Sequence, residues 1–294
     1  MGYRLEDLER LRDQRFRRLP RLRVHNERRA LEFVDEVGFC LVFTNRPHQL
    51  PCLWVAVCGR RDPVFPEHSH HDPELMLTWN LKDRLPAKRL VYYGKLIFGK
   101  PSMVSLAQLP YFYAIHGPQH DEQYRYEYED GLLSRAAKQI MDALVARHPQ
   151  TTKELKRSSR LYASGSRPIF DRAIAELQRR LYITMIEARY DPAFTYVWDL
   201  LETWLPEPIA RGREVAHDEA VYRLAKHYLS VVSYASLAHI ERVVGVARVE
   251  VETTMSRLHE EGTIDSAAPI EGLSGRWVVW KEMATLGQPT FHTP

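Results

Sequence analysis

The densest group of potential metal ligands in the sequence is His68, His70, His71 and Asp72. Imidazole and carboxylate groups bind zinc and other transition metals. Adjacent residues rarely reach one ion together, however, and no Cys-x-x-Cys or His-Glu-x-x-His pattern completes a site. Because Pro66 and Pro73 enclose the stretch, we interpret it as a polar loop. We therefore expect neither a metal nor another cofactor.

A second stretch with chemical potential is residues 124–130, YRYEYED, where Glu127, Glu129 and Asp130 are interleaved with tyrosines. A carboxylate can accept a proton during hydrolysis, and tyrosine rings can stack on exposed bases. The alternation is also typical of a linker or an edge strand. We favour the structural interpretation for this stretch.

Arginines form the third chemical group. Ten of them lie between residues 4 and 29, against five acidic residues, and guanidinium groups suit phosphate oxygens. A solvated helix with charge pairs at helical spacing would have the same composition. The sequence leaves open whether this segment is an arm or a packed helix.

The elements that would position such residues are clearest after residue 130. Apolar residues at helical spacing predict a helix near 131–149, a short one in TTKELKR and a third from about Pro168 to Arg180. LYITMIEA and FTYVWDL then predict two strands. The order helix, helix, helix, strand, strand is that of a winged helix, and it recurs from residue 217.

The two copies also match position by position. Spacings of four, three and six place three apolar residues on one face of the third helix and a fourth on the next strand. Arg167 heads the third helix of one copy and Arg248 that of the other. The matched apolar pairs are Phe170 with Val251, Ile174 with Met255, Leu177 with Leu258, and Ile183 with Ile264.

We predict an α+β protein of tandem winged-helix modules, three in all. The expected domains are an N-terminal domain at 1–120 that is a divergent winged helix, a second module at 121–213 and a third at 214–294. In a helix-turn-helix the third helix lies in the major groove, so its outer face is the expected contact surface. The predicted DNA-binding residues are Arg167, Arg172, Arg179, Arg248, Thr253 and Arg257.

These outer faces also carry Asp171, Glu176 and Glu252. A face of mixed sign favours contacts with phosphates over tight reading of bases. Winged helices also serve in protein–protein interaction, so module type alone does not select DNA. We predict duplex DNA as the partner because of module type and arginine content together.

Composition excludes several other classes of protein. The hydrophobic fraction is 45%, no run of about 18 apolar residues occurs, and the N-terminus is charged from its start. Three irregularly spaced cysteines do not form a disulfide framework. We expect a cytoplasmic protein without a membrane segment. The sequence has no phosphate-binding loop, dinucleotide-binding glycine pattern or serine-nucleophile motif.

The repeated segments and the connector WDLLETWLPE at 198–207 resemble the AlkZ-like (YcaQ-type) winged-helix DNA glycosylases. Residues 102–113, SMVSLAQLPYFY, are similar to a segment before that family's second module. The resemblance covers about residues 30–282 and is most specific from 130 to 265. It implies a bacterial DNA-repair enzyme that hydrolyses the N-glycosidic bond of alkylated or crosslinked purines, through a Gln-hydrophobic-Gln or Gln-hydrophobic-Asp triplet.

The sequence departs from this pattern at the triplet, where Leu41, Val42 and Phe43 stand. None of these side chains can orient water or accept a proton. We predict a DNA-binding relative that lacks the family's catalysis and acts on double-stranded DNA, damaged or intact. Two alternatives remain: an active glycosylase with different site residues, and a winged-helix transcriptional regulator.

Overall fold

One order of elements recurs three times along the chain: a helix, a short strand, two helices and two further strands. The structure, a computed structural model, describes residues 2–43, 50–67 and 71–281. Each recurrence is called a unit below, and the helix before its last two strands is called its third helix. The mixed helical and strand content confirms the α+β prediction.

The chain begins with a segment outside the three units, which contains β1 (Tyr3–Arg4) and α1 (Leu5–Arg15). The first unit follows. Its elements are α2 (Glu27–Val37), β2 (Phe39–Leu41), α3 (Leu53–Cys58), α4 (Pro73–Ala87), β3 (Val91–Gly94) and β4 (Ser102–Ser105). Asn26 and Asp72 accept hydrogen bonds from backbone N–H groups at the starts of α2 and α4, which caps both helices.

Two helices, α5 (Leu109–His116) and α6 (Gln123–Glu129), connect the first unit to the second. The second unit consists of α7 (Arg135–Ala146), β5 (Gln150–Thr151), α8 (Thr152–Ser158), α9 (Arg167–Arg179), β6 (Ile183–Arg189) and β7 (Thr195–Leu200). Thr151 and Glu154 form a reciprocal capping box at the start of α8.

The connector helices α10 (Leu201–Trp204) and α11 (Pro206–Glu214) lead to the third unit. Its elements are α12 (His217–Val232), β8 (Tyr234–Ala235), α13 (Leu237–Val244), α14 (Arg248–Glu260), β9 (Ile264–Ala268) and β11 (Trp277–Trp280), with the short β10 (Ile270–Glu271) between the last two. All three units build the same antiparallel sheet, in which the last strand lies between the first and the second: β2-β4-β3, β5-β7-β6 and β8-β11-β9.

The apolar repeat predicted from the sequence is confirmed at every position. Three residues of each set lie on the buried face of α9 or α14, and the fourth begins β6 or β9. Each is at most 5% exposed: Phe170, Ile174, Leu177 and Ile183 in the second unit, and Val251, Met255, Leu258 and Ile264 in the third. The spacing works because one helix face and the inward side of the next strand cover the same core.

Residues 124–130 are not an edge strand, because Gln123–Glu129 form helix α6 in the connection between the first and second units. The tyrosines at alternate positions do not share a face. Tyr124 is buried in the core of the second unit, while Tyr126 and Tyr128 are exposed. Gln123 donates a hydrogen bond to Glu127, four residues further on, as in a helix.

The first and third units share one apolar core, whereas the second unit has a core of its own. Phe39 of β2 packs against Phe112 of α5 and Tyr228 of α12, with ring centroids 5.2 Å and 6.4 Å away. Gly38, with a φ of +73°, ends α2 where a side chain would collide with the His227 ring. Chain proximity does not decide this pairing, since the second unit lies between the other two in sequence.

The arginine-rich N-terminal segment is a packed helix. Although it lies inside the predicted 1–120 domain, β1 pairs with β10 of the third unit and α1 packs beside α12. The guanidinium group of Arg12 is buried and donates hydrogen bonds to the carbonyl oxygens of Val232, at 2.6 Å, and Tyr234, at 2.7 Å. It also pairs with Glu9, at 2.8 Å. Arg12 therefore fixes the N-terminal segment to the third unit.

Replacing Arg12 with alanine is expected to lower the free energy of unfolding by about 3 kcal/mol, because two buried carbonyl groups and a carboxylate lose their charged partner. Urea denaturation measures the change. Arg10→Ala is the matched control on the exposed side of α1, where Arg10 pairs with Glu6. It should cost less than about 0.5 kcal/mol. Equal effects of the two substitutions would show that Arg12 is not a structural anchor.

Candidate nucleic-acid interface

The third helix of the first unit, α4, has little surface available for a ligand. One side of α4 packs against α2 and α3, and another side packs against β6 of the second unit. Lys82 and Asp83, in the middle of the helix, are buried as an ion pair. Lys82 also donates to the Tyr196 hydroxyl, at 2.9 Å. The one arginine of α4, Arg84, lies 3.5 Å from Glu27. The exposed residues of α4 form a narrow stripe: Pro73, Met76, Asn80 and Arg84.

The third helix of the second unit, α9, presents its polar face to solvent. Arg167, Arg172 and Arg179 are all exposed, as the sequence prediction required. Arg167 lies 3.6 Å from Asp171, and the side chain of Arg172 donates only to the backbone carbonyl of Pro168, at 3.2 Å. Among the described residues, neither Arg172 nor Arg179 has a carboxylate within ion-pair distance. Their charges are available to an external anion.

The predicted DNA-binding residues on α14 of the third unit are exposed, but they contact other groups of the protein. Arg248 pairs with Glu252 at 2.8 Å. Arg257 lies 3.3 Å from the carboxylates of both Glu219 and Glu261. The hydroxyl group of Thr253 donates to the backbone carbonyl of Val249 at 3.0 Å. These contacts within the protein reduce what α14 can offer a phosphate.

The two helices that precede the last two strands form a helix pair in each unit. The net charge of this pair differs from unit to unit. Residues 152–180, which span α8 and α9, carry eight Lys and Arg against three Asp and Glu. The equivalent residues 53–87 carry four against five, and residues 237–260 carry three against four. The helix pair of the second unit is therefore strongly basic, whereas the sequences of the other two pairs are close to neutral.

Sequence reasoning missed three residues of this surface. Lys153 and Arg157 lie on α8, Arg160 lies in the turn before α9, and all three are exposed. Arg160 adopts a left-handed φ of +60°. A charge count over the whole helix pair would have found them, whereas attention to the third helix alone does not. The basic surface of the second unit is defined here by Lys153, Arg157, Arg160, Arg167, Arg172 and Arg179.

The position of the implied catalytic triplet lies in the interior. Leu41 and Val42 have no exposed surface, and Phe43 packs against the rings of Phe65 and Trp79, at 6.2 Å and 6.3 Å. The backbone of Val42 bonds to Pro101 and Trp54. This strand end is apolar packing and provides no group for acid–base chemistry.

A polar cavity of about 500 Å³ lies where α5 ends beside α6 and α9. It is lined by Glu127, Glu176, Arg179 and His116, among others. Glu127 is the one carboxylate of YRYEYED that lines it; one oxygen accepts from Gln123 at 2.9 Å and the other lies 3.0 Å from Arg180. Because both oxygens have partners, the geometry gives Glu127 a structural role that joins α6 to the end of α9.

Asp72 of the His/Asp stretch caps α4, accepting from the N–H of Leu75 at 2.7 Å. This contact agrees with a structural interpretation of that carboxylate. His68 and His70 lie outside the described residues, as does Ser69 between them. In the part of the chain that the structure describes, no group of three or more His, Cys, Asp or Glu side chains could hold a metal ion.

Two partly buried histidines bond to backbone carbonyl groups of the first and third units. His116 of α5 donates from Nε2 to the carbonyl of Val244, at 2.7 Å. His227 of α12 donates from Nε2 to the carbonyl of Val37, at 3.0 Å. Burial lowers the pKa of both imidazoles below the ordinary 6.5. Both rings are therefore neutral in the folded protein near neutral pH.

Comparisons with known proteins identify the sequence and the fold. A family model described as AlkZ related matches residues 24–245. The structure is similar to the DNA glycosylase AlkZ of Streptomyces sahachiroi, with a TM-score of 0.61 and 15% sequence identity over 98% of this chain and 72% of that one. At this identity the likeness concerns the fold. No curated protein matches the chain. Within the described residues, no helix has the length and apolar character needed to cross a membrane.

The histidines predict a loss of stability in mild acid. The unfolded chain binds protons on these groups as the pH falls through about 6.5, whereas the folded protein resists doing so. The free energy of unfolding should therefore decline between about pH 7 and about pH 5.5. A variant carrying His116→Gln and His227→Gln should show a smaller decline in urea denaturation.

The matched control for this experiment is His25→Gln, because His25 is exposed. It should leave the pH dependence unchanged. A double variant with the same slope as the unaltered protein would mean that these two rings do not control the acid response.

Proposed function

Because the chain belongs to the AlkZ-related family, we propose that it is a cytoplasmic DNA-binding protein associated with DNA repair. Its three units act as winged-helix modules, and the basic surface of the second unit makes the main contact with duplex DNA. The observation that carries this proposal is the excess of eight basic over three acidic residues along α8 and α9. Neutralising phosphates is the largest sequence-independent source of affinity for DNA.

The accessibility of these charges supports the assignment. Arg172 and Arg179 lack carboxylate partners among the described residues, so binding DNA would not require existing ion pairs to break. Arg157 on α8 and Arg160 in the turn before α9 extend the exposed positive charge beyond α9. This spread suits contact with the backbone of a duplex more than reading of one base pair.

The third unit takes a smaller share in this proposal. Arg248 and Arg257 would have to leave Glu252, Glu219 and Glu261 before they could bind phosphate. Thr253 is exposed and is available for a polar contact with DNA. The first unit contributes least through its third helix, because α4 is covered by β6.

We further propose that the family's glycosidic-bond hydrolysis does not occur at residues 41–43. A leaving purine and a nascent positive charge on the sugar require a polar group that positions water. Leu41 and Val42 are buried apolar residues and cannot supply one. The protein would then recognise DNA, damaged or intact, without releasing a base at this position.

A salt-dependent titration of labelled duplex DNA, plain and alkylated, tests the proposal. Fluorescence anisotropy should show binding that weakens steeply as salt rises, because counterions are released from the DNA. Arg172→Ala should weaken binding to all sequences alike and reduce the salt slope by about 1. Arg248→Ala, at an exposed arginine of the third unit that pairs with Glu252, should change both quantities less.

The same samples are then analysed for free base. Release of an alkylated base would identify an active glycosylase with its site elsewhere. A strong preference for one palindromic sequence, together with stable dimers, would identify a transcriptional regulator. An Arg248→Ala effect as large as that of Arg172→Ala would overturn the choice of the second unit, and absence of binding at low salt would overturn DNA binding itself.

A further inference from the structure

The turn between β6 and β7 exposes two aromatic rings. Residues 190–194, here called the wing tip, begin with Tyr190 and end with Phe194. Tyr190 is 62% exposed and Phe194 is 55% exposed. A cluster of exposed rings, unlike a single exposed residue, is a candidate contact surface.

Phe194 is held between two other rings. Its centroid lies 5.3 Å from that of Tyr190 and 5.0 Å from that of Tyr196. Tyr196 in turn packs edge-to-face on Trp198, at 5.8 Å, and Trp198 is buried. A continuous row of rings therefore runs from the core of the second unit through Phe194 to Tyr190 at the surface. Neighbouring rings fix its orientation, so little conformational entropy would be lost on binding.

The first unit anchors both tyrosines that flank Phe194. The hydroxyl of Tyr190 donates to the carboxylate of Asp83, and Nζ of Lys82 donates to the hydroxyl of Tyr196. Lys82 and Asp83 form the buried ion pair on α4. Burying such a pair costs free energy unless its other hydrogen-bonding groups have partners. The two tyrosine hydroxyls provide such partners. The pair thereby ties the wing tip to a different unit.

The strand that follows the wing tip contacts the start of α8, one of the two helices that carry the basic surface. Trp198 Nε1 donates to the hydroxyl of Thr152 at the start of α8, at 3.0 Å, and that hydroxyl donates to the carbonyl of Tyr196, at 3.1 Å. Phe194 is two residues along the strand from Tyr196, a distance of about 7 Å. Phe194 and the start of α8 therefore lie on connected segments of the second unit.

We propose that the wing tip stacks on unpaired DNA bases, with Phe194 as the stacking ring. The inference rests on the proposed function, because the basic surface must first hold the sugar–phosphate backbone. Aromatic rings bind the faces of all four bases, whereas paired bases are already stacked on their neighbours. Extracting a base from an intact duplex costs free energy that an unpaired base does not require. The protein should therefore prefer duplexes that contain unpaired bases.

Competition between two DNAs tests this inference: a fully paired duplex, and the same duplex with a short central bubble, at equal salt. We expect the unaltered protein to bind the bubble at least about fivefold more tightly, as one base–aromatic stack of about 1 kcal/mol would give. Phe194→Ala should remove the preference and leave affinity for the paired duplex unchanged. Phe194→Trp should retain it.

Tyr126→Ala is the matched control, since Tyr126 is an aromatic residue of equal exposure, 55%, on α6. It should keep the preference for the bubble. Paired-duplex binding without a bubble preference, or a preference that survives Phe194→Ala, overturns this inference alone. Binding to neither DNA overturns the proposed function together with the inference.

Discussion

Phe39, Phe112 and Tyr228 meet in the apolar core that joins the first unit to the third. Two units that share a core cannot move independently, because separating them would expose large aromatic surfaces to water. The second unit, which has its own core, is attached beside them through α4 and β6. That arrangement covers one third helix and leaves the basic surface along α8 and α9 exposed.

The buried pair of Lys82 and Asp83 lies at this attachment. An ion pair in the interior contributes little net stability, because desolvation offsets much of the attraction. It does impose geometry, since each charge needs a partner in a defined direction. Here the partners are Tyr196 and Tyr190 of the second unit. The pair thus selects one docking of two units, in which one side of α4 packs against β6.

The strand end at Leu41 and Val42 is part of the fold but has no polar group for the family's reaction. An apolar strand end packs into the core of the first unit without disturbing β2, so the family's architecture does not depend on a polar triplet there. Architecture is maintained by many apolar contacts, whereas a hydrolytic reaction depends on a few polar atoms. The relationship to DNA glycosylases accordingly supports the proposed partner more strongly than the reaction.

The spacing of apolar residues in the sequence was enough to predict the repeated unit. The apolar residues from Phe170 to Ile183 and from Val251 to Ile264 mark one helix face and the strand after it. The exposed positions of Arg167, Arg172 and Arg179 followed from the same periodicity. Tertiary structure decided which charges stay available to a ligand. Arg257 pairs with Glu219, which is distant in sequence, and Arg12 bonds to carbonyl groups of the third unit. Helix α6 depended on burial of Tyr124 in a core formed by later residues. Contacts between distant segments have no periodicity, so one sequence read locally does not reveal them.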